Sequence, residues 1–516
     1  MTELRSRKWT GLAIALLVVL AVARVASTWT IFSQTHDEAG HLASGFQWLS
    51  EGRCDVDVEH PPLARLFFAL QPFLDGAHVN ANEDRNAQGT ALLERGGRYR
   101  RNLAGVRMGN VPFLVLALIA VALWGKRLAG SRGAILAVAF CGALPPLLAH
   151  AGLVTTDMAA AATTMTALYA FARWLDEPVW THAAIAGLAI GIGLLSKFSF
   201  VVFFAAGAVI MLLAQWKRPR VRQAAVVASI AFVLVWAGYR FTAGTLNDAR
   251  FVVFPEPFEE HTAAKYARVP GYEWVRADLL RSYTSYAFDV KRRKGAAFHG
   301  IDFVDWAKAA GYPSPLAGRW GFDSMANQPP LPPRSFGARC LEPFRAAKQW
   351  MVTHVPIPAP YFIVGIEYVA RHSREGHPAF LLGHRSASGW WYYFPVVFFF
   401  KTPLPFVVLS LIGIVLLVRR GGEARGVALA PIAMMLVAMT SGINIGVRHI
   451  LPIYPFLAIA AAIATIALWR HSRAIVAVLL AWFFIGTTVA HPDYLAWFNE
   501  LAGRHPERIA SDSNLD

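Results

Sequence analysis

The chain has 516 residues, 55% of them hydrophobic and only 16% charged, with a formal net charge of +16. Charge is too scarce, and the apolar residues too clustered, for a soluble globular protein. The basic excess does not mark a nucleic-acid partner, because topology accounts for its placement, as shown below.

Residues 1–31 comprise a short basic N-terminus and the first apolar segment, 10–31. This segment is too long for a signal-peptide core and lacks a small-x-small cleavage site after it, so it reads as a retained helix. Ten further segments follow, at 108–125, 133–151, 158–172, 182–196, 198–216, 223–241, 402–418, 426–441, 449–469 and 474–490. A span needs about 20 residues, and only helices or closed barrels satisfy their backbone in lipid, so about eleven transmembrane helices are expected. The fold class is all-α and polytopic, with two large outer-face loops.

The first outer loop covers 32–102. It holds two runs too short or too polar to span, EAGHLASGFQWL at 38–49 and PPLARLFFALQPFL at 61–74. Both read as interfacial helices, the second started by His60-Pro61-Pro62. The polar remainder, 75–101, reads as a mobile loop. Spans two to seven occupy 103–241. The second outer loop, 242–392, contains NQPPLPP beginning at Asn327 and is long enough for a folded element. Spans eight to eleven occupy 393–490, and 491–516 form an outer tail. No repeat relates the two halves, which counts against transporters built on repeats.

Alternate short loops carry Arg5, Arg7, Lys8, Lys126, Arg127, Arg132, Arg173, Lys217, Arg218, Arg220, Arg222, Arg419, Arg420, Arg425, Arg470 and Arg473, whereas the opposite set carries only Lys197 and Arg448. The positive-inside rule then puts the N-terminus in the cytoplasm and the C-terminus outside. Cys141 falls in a span. Cys54 and Cys340 fall outside, where they either pair or remain free thiols.

Ionisable groups at a membrane edge are expensive and mark function by default. On the outer face they are Asp37, Glu38, His60, Asp157, Lys197, Lys401, Arg448 and His449. HDEAGH at 36–41 is not the zincin pattern, which needs histidines four apart. A divalent metal held by Asp37, Glu38 or His41 is one reading; Asp37 as a helix cap is the other. Asp157, in the TTD at 155–157, is either a cap or a second acid facing the first across the membrane edge, where one carboxylate serves as general base toward an acceptor hydroxyl. Lys197 either snorkels to the headgroups or, with Arg448, meets the charge on a phosphate leaving group. The aromatic stretch GWWYYFPVVFFFKTPLP at 389–405 is an interface belt or a surface that grips a sugar or lipid chain. No motif for ATP, dinucleotide or serine-hydrolase chemistry appears.

In this order, the acidic pair Asp37-Glu38, HPPL at 60–63, Thr156-Asp157, GHRSASGWWYYFPVVFFFKTP at 383–403, RHILPIYP at 448–455 and HPDYLAWFNELAG at 491–503 resemble membrane glycosyltransferases of GT-C type. The similar group is that of protein O-mannosyltransferases and aminoarabinose transferases, in a bacterial branch dependent on phospholipid carriers. The resemblance covers nearly the whole chain. It implies an inner-membrane enzyme that takes a sugar, hexosyl or pentosyl, from a polyprenyl-phosphate donor. The acceptor would be a hydroxyl of a protein, lipid or glycan at the outer face, reached with inversion. It also implies Asp37 as base or acceptor-positioning acid, Glu38 as its support and Asp157 as a second active-site acid. Lys197 and Arg448, with His60, Lys401 and His449, are expected around the carrier phosphate on electrostatic grounds. Two departures stand out. HPPL is followed by Ala64-Arg65, where similar mannosyltransferases tend to have Gly-Lys, and DSNLD at 512–516 leads in similar proteins into a soluble part. The rival reading is a transporter or flippase of a lipid-linked saccharide; it predicts ionisable groups deep in several spans, whereas here they gather at one edge. An inactive relative that only binds carrier lipid is a third reading.

Overall fold

The computed structural model describes residues 2–53, 57–80, 84–216, 220–246, 249, 350–352, 354–386 and 388–510. Cys54, Cys340, the NQPPLPP stretch and DSNLD lie outside the described residues; Cys141 is a free, buried thiol. The chain divides into two compact units, 1–242 with 361–516, and 243–360. In the second, the described residues include an antiparallel pair, β1 (Ala243–Gly244) with β2 (Ile357–Pro358).

The first unit is mainly helical. Its N-terminal half contains α1 (Thr2–Ala26), α2 (His36–Glu51), α3 (Leu63–Leu74), α4 (Arg85–Glu94), α5 (Tyr99–Arg107), α6 (Val111–Cys141), α7 (Pro145–Ala151), α8 (Asp157–Asp176), α9 (Trp180–Leu194), α10 (Ser199–Gln215) and α11 (Val221–Gly238). After α12 (Pro360–Glu375) comes a hairpin, β3 (Ala379–Leu381) with β4 (His384–Ser386). Then follow α13 (Tyr393–Lys401), α14 (Leu404–Arg420), α15 (Gly422–Ala438), α16 (Tyr454–Trp469) and α17 (Arg473–Val489).

Helix α16 is the centre. It is apolar on all sides and buried without interruption from Tyr454 to Thr465, as expected of a helix enclosed by others. Gly413 of α14 lies directly against the Ala460 carbonyl, and Gly187 and Gly191 of α9 lie against Val227 and Ala231 of α11. Small residues permit this close approach, which packs helices in lipid where the hydrophobic effect between them is lost.

Every expected apolar segment is largely helical, with two amendments. Segment 133–151 is broken at 142–144, so α7 is a separate short helix opened by Pro145 in its first turn. Among the described residues, four helical stretches are long and apolar enough to cross a membrane, Lys8–Ala26, Tyr99–Cys141, Val221–Gly238 and Val447–Trp469, and a fifth is the bent pair α13 and α14 if it forms one span. The remaining apolar helices, of 15 to 17 residues, are shorter than the roughly 20 that a span needs. The expected count of about eleven requires these three to cross as packed, short spans, together with α8, α15 and a second crossing within α6, whose backbone breaks at Ala129 and Gly130.

The two runs expected to be interfacial form helices α2 and α3, and α2 is buried over most of its length. The stretch 75–101 is not a loop throughout. Asp84 caps α4, its carboxylate accepting the Asn86 and Ala87 amides at 2.8 and 3.3 Å, and Leu92 and Leu93 bury the helix. Helix α5 then begins at Tyr99.

Candidate active site

Helix α2 starts with a reciprocal cap. The Glu38 carboxylate accepts the Thr35 amide at 2.8 Å, so Thr35 and Glu38, not Asp37, open the helix. This frees Asp37 to face a cavity of about 540 Å3, lined by α2, residues 57–60, α4, the start of α8, residues 197–203, α12 and the turn at 448–449. Glycines set the walls: Gly45 of α2 abuts the Arg65 carbonyl and Gly89 of α4 abuts the Ala39 carbonyl. A larger residue at either place would push α3 or α4 away from α2.

Two acids enter the cavity from different elements, each with its own cation. Asp37 accepts from Arg448 Nη1 at 2.6 Å. Asp157 pairs with Lys197. Asp157, Lys197 and Arg448 are buried, and Asp37 is the most exposed of the four, at 20%. Asp157 therefore serves a tertiary ion pair rather than its own helix terminus, and Lys197 does not snorkel. Paired and hydrogen-bonded charges are what a buried site tolerates.

His60 also lines the cavity, its Nδ1 3.4 Å from the Thr156 hydroxyl, and its ring stands edge-on to His41 at 4.9 Å. Burial, with Arg65 and Arg85 nearby, holds His41 well below the usual imidazole range. Burial, His41 and Arg65 do the same for His60. His449 lines the cavity between two rings, stacked on Phe394 at 5.2 Å and edge-on to Phe203 at 5.9 Å.

Three expectations are corrected. Glu38 does not line the cavity. Its carboxylate accepts Arg107 Nε and Nη2 at 2.8 Å each, the Thr35 amide, and the Val154 amide at 2.9 Å. Arg107 spends its other hydrogens on the carbonyls of Trp29, Phe32 and Ser33. Glu38 thus ties the Asp37 turn to the turn before Asp157. Lys401 is also elsewhere: its Nζ donates to the Leu495 carbonyl at 2.7 Å and lies 4.0 Å over the Phe498 ring. The metal set of Asp37, Glu38 and His41 does not converge, because the first two turn to Arg448 and Arg107 and His41 Nδ1 accepts from Arg65 at 3.2 Å. Among the described residues no three His, Cys, Asp or Glu side chains are grouped to hold a metal ion.

None of the aromatic residues at 389–405 lines the cavity. Their stretch props up the Arg448 turn instead: the Trp390 amide donates to Asn444 Oδ1 at 2.7 Å, and Tyr393 Oη accepts the Gly446 amide at 3.0 Å.

Sequence reasoning missed one cluster. Asp57 pairs with both Arg65 and Arg85, and Glu59 hydrogen-bonds Tyr368, whose hydroxyl is pushed up to about 12 by burial and the Glu59 charge. Asp57, Glu59, Arg85 and Tyr368 all line the cavity. The available signal was the alternation of acids in DVDVEH, followed by Arg65 one helical turn after Pro61.

The fold of this helical bundle is shared with a solved membrane-protein structure. Among solved structures, ArnT from Cupriavidus metallidurans in the apo state matches with a TM-score of 0.50 and 13% identity, over 96% of this chain and 66% of that one. The same protein bound to undecaprenyl phosphate matches at 0.46 and 14%, over 95% and 66%. The Archaeoglobus fulgidus oligosaccharyltransferase matches at 0.46 and 13%, over 93% and 54%. The chain thus spans just under two thirds of the first of these structures and about half of the last. Residues 100–238 match the family model described as dolichyl-phosphate-mannose-protein mannosyltransferase. The likeness read from the motifs, to the mannosyltransferase and ArnT group, holds in both comparisons. No curated protein sequence matches the chain.

Proposed function

We propose that the protein is an integral membrane glycosyltransferase that moves a sugar from a polyprenyl-phosphate donor to an acceptor hydroxyl, with inversion, at the outer face of the membrane. The observation that carries this reading is the pair of acid–cation couples, Asp37–Arg448 and Asp157–Lys197, brought from four separate places in the chain to one cavity. The family match over 100–238 supports the donor class.

Asp37 is the general base, being the more accessible acid and opposite the second. Arg448 binds the donor phosphate by its guanidinium, whose planar fork can take two phosphate oxygens at once. The donor phosphate binds the guanidinium beside Asp37, whose second carboxylate oxygen takes the proton of the acceptor hydroxyl. Lys197 stabilises charge on the leaving phosphate, and Asp157 holds Lys197 in place. His60 and His449 complete the polar wall, His60 as a neutral imidazole. The apolar side chains of Val201, Val202, Ile443 and Ile445, which share the cavity, suit the lipid part of the donor.

The test is transfer of radiolabelled sugar from a polyprenyl-phosphate donor to envelope material, in membranes carrying wild type or Asp37→Asn at matched levels. Loss of a general base lowers the rate by roughly 10²–10⁴. Equal transfer in both would remove Asp37 from the reaction. Movement of carrier lipid across the bilayer with no transfer would replace the enzyme by a transporter.

A further inference from the structure

Helix α3 has two unlike faces. Ala64, Arg65, Phe68, Ala69 and Pro72 are buried, whereas Phe67, Leu70 and Leu74 are exposed at 38%, 45% and 72%. The exposed face is as apolar as the buried one. Its place in the membrane follows from its neighbours. The Phe67 ring meets Phe113, inside the span, at 5.2 Å; the Phe67 carbonyl abuts Gly109; and Gln71 abuts Gly105. Helix α3 therefore climbs along the span and α5, away from the membrane centre, with its apolar face outward.

Cations stand where this face ends. Arg101 lies one turn beyond Gly105 on α5, and Arg98 and Arg101 share a side of the helix start. Arg98, Arg100 and Arg101 are all exposed, and among the described residues none makes an ion pair or side-chain hydrogen bond. Their neighbour Arg95 differs, being paired with Asp75 at 2.8 Å. Arg101 is seven residues beyond the exposed Met108, about 10 Å along a helix. The headgroup layer extends about 5–8 Å past the hydrocarbon, and an arginine side chain reaches back across the difference.

We propose that α3 and the start of α5 form a binding site for an anionic phospholipid on the leaflet where the candidate active site opens. The acyl chains lie on Phe67, Leu70 and Leu74, and the headgroup phosphate is held by Arg98, Arg100 and Arg101. Charge complementarity selects the occupant: an apolar face alone takes any lipid, but three uncompensated guanidiniums at headgroup height favour a net negative one. The proposal does not depend on the transferase reading.

The test is native mass spectrometry of the full chain with equal amounts of phosphatidylglycerol and phosphatidylcholine. Each cation near a lipid headgroup adds about a fivefold preference for the anionic lipid, so wild type should favour phosphatidylglycerol at least tenfold. Arg98→Gln/Arg100→Gln/Arg101→Gln should abolish that preference. The charge-matched Arg419→Gln/Arg470→Gln/Arg473→Gln and the cavity variant Arg448→Gln should keep it. Leu70→Gln/Leu74→Gln should lower binding of both lipids. No preference in wild type, an unchanged preference in the first triple variant, or its loss in Arg448→Gln would each overturn the proposal. All substituted residues of the first triple are exposed, so folding is retained, which thermal unfolding verifies.

Discussion

Replacement of Glu38 by glutamine separates a structural acid from a chemical one. The carboxylate is 1% exposed and its partner Arg107 2%. Removing one member of a buried ion pair typically costs about 3–5 kcal/mol, since the other charge is left uncompensated. Glutamine keeps one acceptor oxygen but puts an N–H donor against the guanidinium or the Thr35 and Val154 amides. Arg107→Leu should cost more. It leaves Glu38 charged and also orphans the carbonyls of Trp29, Phe32 and Ser33, each worth about 1–3 kcal/mol if water cannot reach it. Thermal unfolding in detergent should therefore rank wild type above Glu38→Gln above Arg107→Leu. Transfer activity per folded molecule should fall in parallel, because both changes loosen the turns carrying Asp37 and Asp157. Glu38→Gln with wild-type unfolding and no transfer would refute this account and return Glu38 to the chemistry.

Lys197→Met should both destabilise the protein, by about 3–5 kcal/mol, and abolish transfer, because Asp157 is left buried and unpaired; Asp157→Asn/Lys197→Met should recover stability without activity, as read by thermal unfolding beside the transfer assay. Arg448→Lys should bind donor more weakly than wild type but better than Arg448→Gln in donor titrations, since a point charge replaces a fork. Lys401→Met should leave the donor KM unchanged and cost about 1–3 kcal/mol of stability through the Leu495 carbonyl. His41 and His60 are held below their ordinary value of 6.5 by burial, so below that pH the unfolded chain binds more protons than the folded one. Stability is then fully present above about pH 6.5 and falls as the pH drops, at most about 1.4 kcal/mol per unit for each histidine; His60→Asn should flatten the profile measured from pH 7 to 5.

The spans were legible because apolar length is written in composition, and α2 and α3 because their periodicity is. The acid pair was legible only as a pair. Adjacent residues on a helix point about 100° apart, so Asp37 and Glu38 face different partners. Which one meets the cavity is decided by Arg107, 69 positions away, and no local pattern reports that. Lys401 was misplaced for a similar reason. It sits at a membrane edge, but α13 meets α14 at a bend of 118°, and the lysine turns to the tail at Leu495. Asp57, Arg65 and Arg85 were missed because their meaning lies in mutual pairing across three elements. The departure Ala64-Arg65 in the HPPL motif also becomes intelligible: Arg65 is buried, bound to Asp57 and to the carbonyls of Asp57 and His60, and holds the wall on which His60 stands.

Why the cations come already paired follows from the charge that the proposed reaction moves. A sugar joined to a polyprenyl phosphate is a diester with one negative charge, and the departing monoester gains a second. The acceptor proton meanwhile neutralises Asp37. Negative charge therefore leaves the carboxylate and arrives on the phosphate, with the total unchanged. Arg448 touches Asp37 at 2.6 Å, and a donor phosphate on the same guanidinium would place both ends of that shift against one fixed cation. In a low-dielectric cavity this matters, because a site that had to create or bury net charge would face a desolvation cost of several kcal/mol per ion. An unpaired Arg448 would bind the donor more tightly in the ground state, so less of its interaction with the phosphate would be reserved for the transition state. With Asp37 as its resting partner, its interaction with the phosphate strengthens as the carboxylate is protonated, so the stabilisation falls on the transition state rather than on the bound donor.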